Sequence, residues 1–185
     1  MKVLGCSIPG CYVIELDPFV DARGDFVKLF SDSLIPLFQD FRIREVFFSH
    51  SKEGVVRGMH LQTPPFDHNK LVLCLAGEAF DVLVDLRVGS PSYGKSFDIK
   101  LHSRQYKALF IPKGVAHGFC ALQPDTTVAY FVDSLHSAAH DLGVHWRSVD
   151  VEWPVENPTV SSRDEALPPL GRFESPFMFL DGPKS

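Results

Sequence analysis

The segment Lys70–Arg87 constrains the fold most, because it joins two β-rich runs through one turn signal. Gly77-Glu78 separates the two runs, and such a turn between β-rich runs predicts a β-hairpin. Strand side chains alternate between two faces with period two, so the second run has an apolar face and a mixed face. The apolar face holds Phe80, Val82, Val84 and Leu86, and the mixed face holds Asp81, Leu83, Asp85 and Arg87.

Short β-rich runs continue along most of the chain. Gly and Pro supply 13 and 14 of the 185 residues, which suits short strands and tight turns rather than a helical bundle. Regular short strands separated by Gly/Pro turns predict an all-β fold, either a β-sandwich or a jelly roll. The predicted strands are CYVIEL, IREVFFSH, GVVRGMHLQ, SFDIKLH, ALFIP, HGFCALQ and TTVAYFVDS.

The length of 185 residues predicts one domain. We expect N-terminal strands within residues 1–50, a barrel core at about 51–150 and an irregular, Pro-rich extension at about 151–185. The stretch SDSLIPLFQDF predicts a short peripheral helix, with Ser31 as its N-cap and Pro36 keeping it irregular.

Charge and composition exclude several classes of protein. The net charge of −5, with no basic stripe, argues against a general nucleic-acid binder. No apolar run reaches the roughly 20 residues of a membrane span, and the start has no signal-peptide pattern. The four cysteines include no C-x-x-C pair. We therefore expect reduced, mostly buried thiols in a cytoplasmic protein.

Two of the eight histidines stand out by their context. His60 lies in RGMHLQ and His117 ends IPKGVAH, a placement that resembles the double-stranded β-helix of the cupin type. Metal-binding cupins carry the pattern H-x-H followed by Glu on the first strand pair. Here Gln62 stands at the position of the second His. The nearby residues offer only Asp67 and His68. Three or four well-placed ligands are needed for a stable site, so we predict a pocket without metal or other cofactor.

Such a pocket suits acid–base chemistry. A histidine such as His60 suits general-base work at neutral pH, and Lys70 could hold an oxyanion. Tyr130 lies in the apolar strand VAYFV and could be either a core residue or an acid. An anionic ligand would need cations, and the candidates are Arg23, Arg57, Lys70 and Arg163. Spacing alone leaves both an enzyme and a binding module open.

The assembled motifs resemble the dTDP-4-dehydrorhamnose 3,5-epimerases, which are metal-free cupins of deoxysugar nucleotide synthesis. The resemblance runs in order from about Arg23 to Leu170. It implies a cupin-type jelly roll with short peripheral helices. The matching segments are RGMHLQ, NKLVLCLAGEAFDVLVDLRVGSPSYG, LFIPKGVAHGF, VAYFVDS and EWP followed by SSRDEALPPL.

The resemblance also implies roles for individual residues. His60 matches the base that removes a proton beside the C4 ketone of a nucleotide-linked 4-keto-6-deoxy sugar, and Asp164 matches its carboxylate partner. Tyr130 matches the acid that returns a proton on the opposite face, and Lys70 the cation near the C4 oxygen. The predicted substrate-binding residues are Arg23, Arg57, Gln62, His117, His136, Asp141 and Arg163. The family also implies a homodimer with N-terminal strands exchanged or packed between subunits, and a place in polysaccharide or O-antigen synthesis.

Several positions depart from the family pattern. Leu135 and His136 stand where two tyrosines often occur, Phe47 replaces an Asn, Glu45 a Gln and Lys28 a Glu. None of these positions belongs to the predicted acid–base set, but they bear on which nucleotide and which sugar the protein binds. A CDP- or GDP-linked substrate, inversion at one carbon, a ketoisomerase and a sugar-binding cupin therefore stay open as alternatives.

Overall fold

The computed structural model describes residues 1–31 and 41–180, and these residues form thirteen strands and a few short helical segments. The helix predicted after Ser31 falls on residues outside this described part. The strands are β1 Lys2–Gly5, β2 Tyr12–Glu15, β3 Pro18–Asp21, β4 Gly24–Val27, β5 Glu45–Ser51, β6 Val56–Gln62, β7 Lys70–Ala76, β8 Glu78–Asp85, β9 Ser96–His102, β10 Lys107–Ile111, β11 Val115–Ala121, β12 Thr126–Val132 and β13 Asp141–Gly143. Helix α1 is Ser162–Glu165, and 3₁₀ turns cover Ser103–Gln105, Trp146–Ser148 and Leu170–Arg172.

Two antiparallel sheets form the body of the protein. The six-stranded sheet has the order β1-β2-β10-β7-β12-β5, and the five-stranded sheet has the order β13-β6-β11-β8-β9. Strands β3 and β4 form a separate two-stranded hairpin. The two large sheets enclose an apolar cluster that includes Val72, Leu83, Leu109 and Phe119. The predicted all-β jelly-roll architecture is thus present.

The pairing predicted for Lys70–Arg87 is wrong, although both of its strands exist. β7 pairs with β10 and β12, whereas β8 pairs with β11 and β9 in the other sheet. The chain crosses between the sheets at Gly77, where φ is +70° and an added Cβ would lie 2.7 Å from Thr126 Oγ1. Both strands are buried along most of their length, so each occupies the interior of a separate layer.

The predicted alternation within β8 is confirmed, and it links the sheet to the end of the chain. Phe80, Val82, Val84 and Leu86 pack in a second cluster with Trp146 and Phe177, on the outer side of the five-stranded sheet. The Pro-rich extension is therefore packed against this sheet, because its aromatic side chains cover the apolar face of β8. The opposite face of β8 directs Leu83 into the cluster between the sheets.

A third cluster covers the outer face of the six-stranded sheet and includes Ile14, Phe41 and Leu71. Cys11, Cys74 and Cys120 are buried, as expected for small apolar side chains, and Cys6 is partly buried. Among residues 1–31 and 41–180, no helix is long and apolar enough to cross a membrane.

Candidate active site

A cavity of about 560 Å³ opens between the two large sheets. We call it the central cavity. Its walls come from β5 and β12 of the six-stranded sheet, from β6 and β11 of the five-stranded sheet, and from the segment around α1. Ten of the predicted site residues line it: Arg57, His60, Gln62, Lys70, His117, Tyr130, His136, Asp141, Arg163 and Asp164.

His60 and Asp164 form a hydrogen-bonded dyad in the central cavity. His60 Nε2 lies 2.7 Å from Asp164 Oδ1, and Asp164 Oδ2 accepts the Gly58 N–H at 3.1 Å. Burial alone would raise the pKa of the Asp164 carboxyl, but its contacts to His60 and Gly58 outweigh burial and hold that pKa below its ordinary value. An ionised carboxylate at Nε2 favours the tautomer that leaves the lone pair on Nδ1. His60 is therefore arranged to take a proton at Nδ1.

The dyad depends on two glycines where β6 and β11 approach closely. Gly58 has φ +126°, and a Cβ there would lie 2.5 Å from the Cα of Gly118. A Cβ at Gly118 would lie 2.8 Å from the Arg57 carbonyl oxygen. This close approach explains the glycine in RGMH and the glycine after His117, because any side chain would push the strands apart. It sets His60 and His117 opposite each other in register.

Asp164 reaches β6 from a distant part of the sequence. Ser161 is the N-cap of α1, and its Oγ accepts the Asp164 N–H at 3.1 Å. Asp164 lies 104 residues from His60 along the chain, and its side chain is almost fully buried. The short helix thus holds the carboxylate against His60.

A second histidine–carboxylate pair lies deeper in the cavity wall. His117 Nε2 lies 2.5 Å from Asp81 Oδ1, and both side chains are buried. Asp81 was not a predicted site residue. Its signal was available in the sequence, since an aspartate stands on the inward face of an apolar strand, and a buried carboxylate needs a partner. Asp81 orients the ring of His117.

Lys70 projects into the central cavity beside the dyad. It begins β7, and its Nζ donates a hydrogen bond to the His60 carbonyl oxygen at 3.1 Å. Burial lowers the pKa of the Lys70 ammonium to about 8, although Asp141 and Asp81 oppose this shift. The group is therefore mostly charged at neutral pH and can stabilise a negative oxygen in the cavity.

Tyr130 enters the cavity from β12 of the six-stranded sheet, whereas His60 lies on the five-stranded sheet. Its ring lies 5.8 Å from the ring of His117, edge to face, and its hydroxyl lies 3.4 Å from Ser49 Oγ. Burial raises the pKa of the Tyr130 phenol well above its ordinary value, so it stays protonated at neutral pH. The imidazole of His60 and the protonated phenol of Tyr130 thus come from opposite walls of the cavity.

Charged residues at the rim are paired. Arg163 Nη2 lies 2.9 Å from Asp141 Oδ2 and also donates to the Asp141 carbonyl oxygen at 3.2 Å. Arg57 Nε donates to Ser51 Oγ at 3.0 Å. Arg23 is not brought to the central cavity: it lies on the β3–β4 hairpin, largely exposed, and pairs with Asp21 at 2.6 Å.

Gln62 lines the cavity and also hydrogen-bonds the loop that contains Leu135 and Ser137. Its Nε2 donates to the carbonyl oxygens of Phe66 and Leu135, at 3.0 and 3.1 Å, and its Oε1 accepts the Ser137 N–H. Glu45 Oε2 accepts the N–H of His136 at 3.1 Å. The residue in the second histidine position of metal cupins thus holds the loop that presents His136. Within the described part of the chain, no group of three His, Cys, Asp or Glu side chains is arranged to hold a metal.

Comparison with known proteins decides the family. The sequence model described as dTDP-4-dehydrorhamnose 3,5-epimerase matches residues 5–172. The chain belongs to this family. A dTDP-4-dehydrorhamnose 3,5-epimerase of Shigella flexneri is 37% identical over 168 residues, covering 89% of this chain and 93% of the relative. A dTDP-4-dehydrorhamnose 3-epimerase of Streptomyces niveus is 33% identical over 172 residues, covering 89% and 82%.

A solved structure extends the likeness to three dimensions. The dTDP-6-deoxy-D-glucose-3,5-epimerase of Legionella pneumophila, in complex with dTDP-4-keto-L-rhamnose, is similar with a TM-score of 0.90 and 31% identity. The match covers 97% of this chain and 99% of that one. Together these matches confirm the predicted cupin-type fold, the isomerase class and the sugar-nucleotide epimerase activity of this dTDP-4-dehydrorhamnose 3,5-epimerase family member.

Proposed function

We propose that this epimerase inverts C3 and C5 of a dTDP-linked 4-keto-6-deoxy sugar, with His60 as base and Tyr130 as acid. One observation carries the proposal: a histidine–carboxylate dyad and a protonated phenol face the same cavity from opposite sheets. Binding alone requires no such opposed pair. Both relatives and the Legionella complex carry dTDP in their names, which supports dTDP as the carrier.

The first step is removal of a proton from a carbon beside the ketone. Such a carbon is weakly acidic, because its anion is an enolate with charge on the C4 oxygen. Nδ1 of His60 accepts the proton, and the Asp164 carboxylate at Nε2 stabilises the imidazolium that results. The two electrons of the C–H bond move toward the C4 oxygen.

Lys70 stabilises the charge that develops on that oxygen. Its ammonium is buried beside His60, where few waters compete for it. A fixed cation in such a site lowers the energy of the enolate more than one in water would. His117, fixed by Asp81, supplies a second polar group to the cavity from the five-stranded sheet.

Tyr130 completes the inversion. It gives its phenolic proton to the carbanion carbon on the face opposite His60, and the carbonyl at C4 re-forms. C3 and C5 both flank C4, so the same groups can act on each carbon after the sugar ring shifts. Arg57 and Arg163 at the rim are suited to the diphosphate, because guanidinium groups bind phosphate oxygens in pairs.

The first experiment follows deuterium in D₂O. Incubation with dTDP-4-keto-6-deoxy-D-glucose is expected to place deuterium at both C3 and C5, with an inverted product detected by NMR and mass spectrometry. Uptake at one carbon would instead assign a single-centre epimerase, as in the 3-epimerase relative. CDP- and GDP-linked ketones serve as matched substrates, and faster exchange with either would overturn dTDP as the carrier. No exchange with any of them would contradict the proposed chemistry.

We infer that the enzyme is a homodimer in which the β3–β4 hairpin of one copy covers the β5 edge of the other. Phe19, Val20 and Phe26 on the hairpin are exposed, and so are Val46 and Phe48 on β5. β5 ends the six-stranded sheet, so one of its backbone edges is free of strand pairing among the described residues. Large exposed apolar patches mark interaction surfaces. The same contact would carry Arg23 of one copy toward the cavity of the other.

Mixing two inactive variants tests this arrangement. An Arg23→Ala chain and a His60→Ala chain, unfolded and refolded together, are expected to regain activity, because a mixed dimer holds one complete site. Sedimentation velocity should give twice the 20.7 kDa chain mass. Phe26→Asp should yield monomers, whereas Met178→Asp, at the same 66% exposure on another surface, should not. A monomeric parent protein, or no recovery on mixing, would contradict the shared site.

The substrate class supports a cytoplasmic location, because nucleoside diphosphate sugars are made from nucleoside triphosphates, which are cytoplasmic metabolites. We also propose a role in the supply of deoxysugars for surface polysaccharide.

We further propose that residues 1–185 form one domain.

A further inference from the structure

Strand β5 contacts Tyr130 along one face. The side chains of Glu45, Phe47 and Ser49 alternate toward the central cavity, as strand periodicity requires. β5 pairs with β12 so that Phe47 stands directly opposite Tyr130. The two aromatic rings stack with centroids 4.9 Å apart and an interplanar angle of 15°.

The stacking complements two other contacts of Tyr130. The His117 ring approaches it edge to face, and Ser49 lies within hydrogen-bonding distance of its hydroxyl. A Tyr side chain has two rotatable bonds, and a proton donor must be held to within about 0.5 Å and 10–20° of its productive geometry. Ser49 contacts only the hydroxyl, at a long 3.4 Å, whereas the rings of Phe47 and His117 contact the ring of Tyr130 itself.

We propose that Phe47 is a positioning residue that holds the phenol of Tyr130 in line with the carbon opposite His60. This inference rests on the proposed function. Phe47 acts through Tyr130, so it governs how many enolates are protonated on the far face. Deprotonation by His60 does not depend on it, because His60 lies on the five-stranded sheet and its partner Asp164 is held by Gly58.

The inference predicts a change in partition rather than in overall rate. An enolate that Tyr130 does not protonate is reprotonated by His60. After the imidazolium has exchanged its proton with D₂O, this step returns deuterated substrate with its configuration retained. An enolate that Tyr130 protonates becomes inverted product. The ratio of inverted product to deuterated, uninverted substrate therefore reports the position of the phenol.

Matched substitutions at Phe47 test the inference. Phe47→Leu keeps apolar volume but removes the ring plane, and it is expected to lower the inversion-to-exchange ratio by about ten-fold. Phe47→Tyr keeps the plane and should retain the parent ratio. His50→Leu lies on the same strand but faces away from the cavity, with its ring near Thr127 and Asp125, and should also retain it. Phe47→Met provides a second non-aromatic variant should Phe47→Leu fail to fold in a thermal-unfolding control.

The outcomes separate this inference from the proposed function. An unchanged ratio in the non-aromatic variants, or equal losses of exchange and inversion, would overturn the positioning role alone. A fall in the inversion-to-exchange ratio in Phe47→Tyr would also overturn the positioning role. Absence of exchange in the parent protein would overturn the proposed function and this inference together. A selective fall in the ratio, restored by tyrosine, is the result we expect.

Discussion

His60→Ala is expected to lower kcat/KM by about 10²–10⁴-fold, the usual contribution of a positioned general base. The reason is local: the dyad places a basic nitrogen beside the ketone, and alanine leaves the Asp164 carboxylate with no ring to orient. Affinity for dTDP should change little, because the nucleotide contacts are proposed to lie with the rim arginines. Deuterium exchange and calorimetric dTDP binding measure the two quantities separately.

A histidine elsewhere provides the matched control. His102 lies at the end of β9 and caps the 3₁₀ turn Ser103–Gln105, away from the cavity residues. His102→Ala should keep parent activity. Turnover near the parent value in His60→Ala would remove the base from the mechanism, whereas equal loss of dTDP binding would show that the variant had lost its pocket.

Lys70→Met is expected to reduce kcat/KM by about 10²–10³-fold, the typical cost of removing one fixed stabiliser of an oxyanion. Methionine preserves the length of the side chain and its apolar stem. The fold should survive, since the substitution removes a buried charge that is costly to desolvate. A thermal-unfolding midpoint at or above that of the parent would support this expectation about stability.

The pH profile of kcat/KM gives Lys70 an independent signature. Burial lowers the pKa of its ammonium to about 8, so the cation is present below that pH and is lost as the pH rises through it. Activity of the parent should therefore fall on the alkaline side of pH 8, and Lys70→Met should lack that limb. Lys113→Met, which removes an exposed partner of Asp67, is the control and should keep the limb. An alkaline limb that persists in Lys70→Met would assign it to another group.

The sequence predicted the strands well because their signal is local. Alternation along β8 is visible in eight consecutive residues, and the structure confirms both of its faces. The partners of those strands are a non-local property. Lys70–Arg87 has the pattern of a hairpin, yet Gly77 passes the chain from one sheet to the other. A hairpin and a crossover between sheets are distinguished here only by burial, because both strands are buried on both faces.

The cavity residues show the same limit. Motif context identified His60 and His117, but the carboxylates that face them lie 104 and 36 residues away. Asp164 came from family resemblance, and Asp81 was missed because its place on the mixed face of β8 did not show that this face lies between the sheets. Leu135 and Gln62 meet through a backbone carbonyl, a contact that leaves no trace in residue type. Arg23 lies away from the central cavity of its own chain, and its proposed role depends on contact with a second copy, which a single sequence does not show.

Asp164 lies late in the sequence, and this position determines when the His60–Asp164 dyad can form during synthesis. Its carboxylate meets Gly58 across 106 residues of sequence, and by then every strand of both sheets has been translated. A nascent chain, or one cleaved before Ser161, contains Lys70 and Tyr130 but lacks the carboxylate that pairs with His60. Chains fold as they emerge from the ribosome. The His60–Asp164 dyad can therefore form only after all the strands of the two sheets have been synthesised.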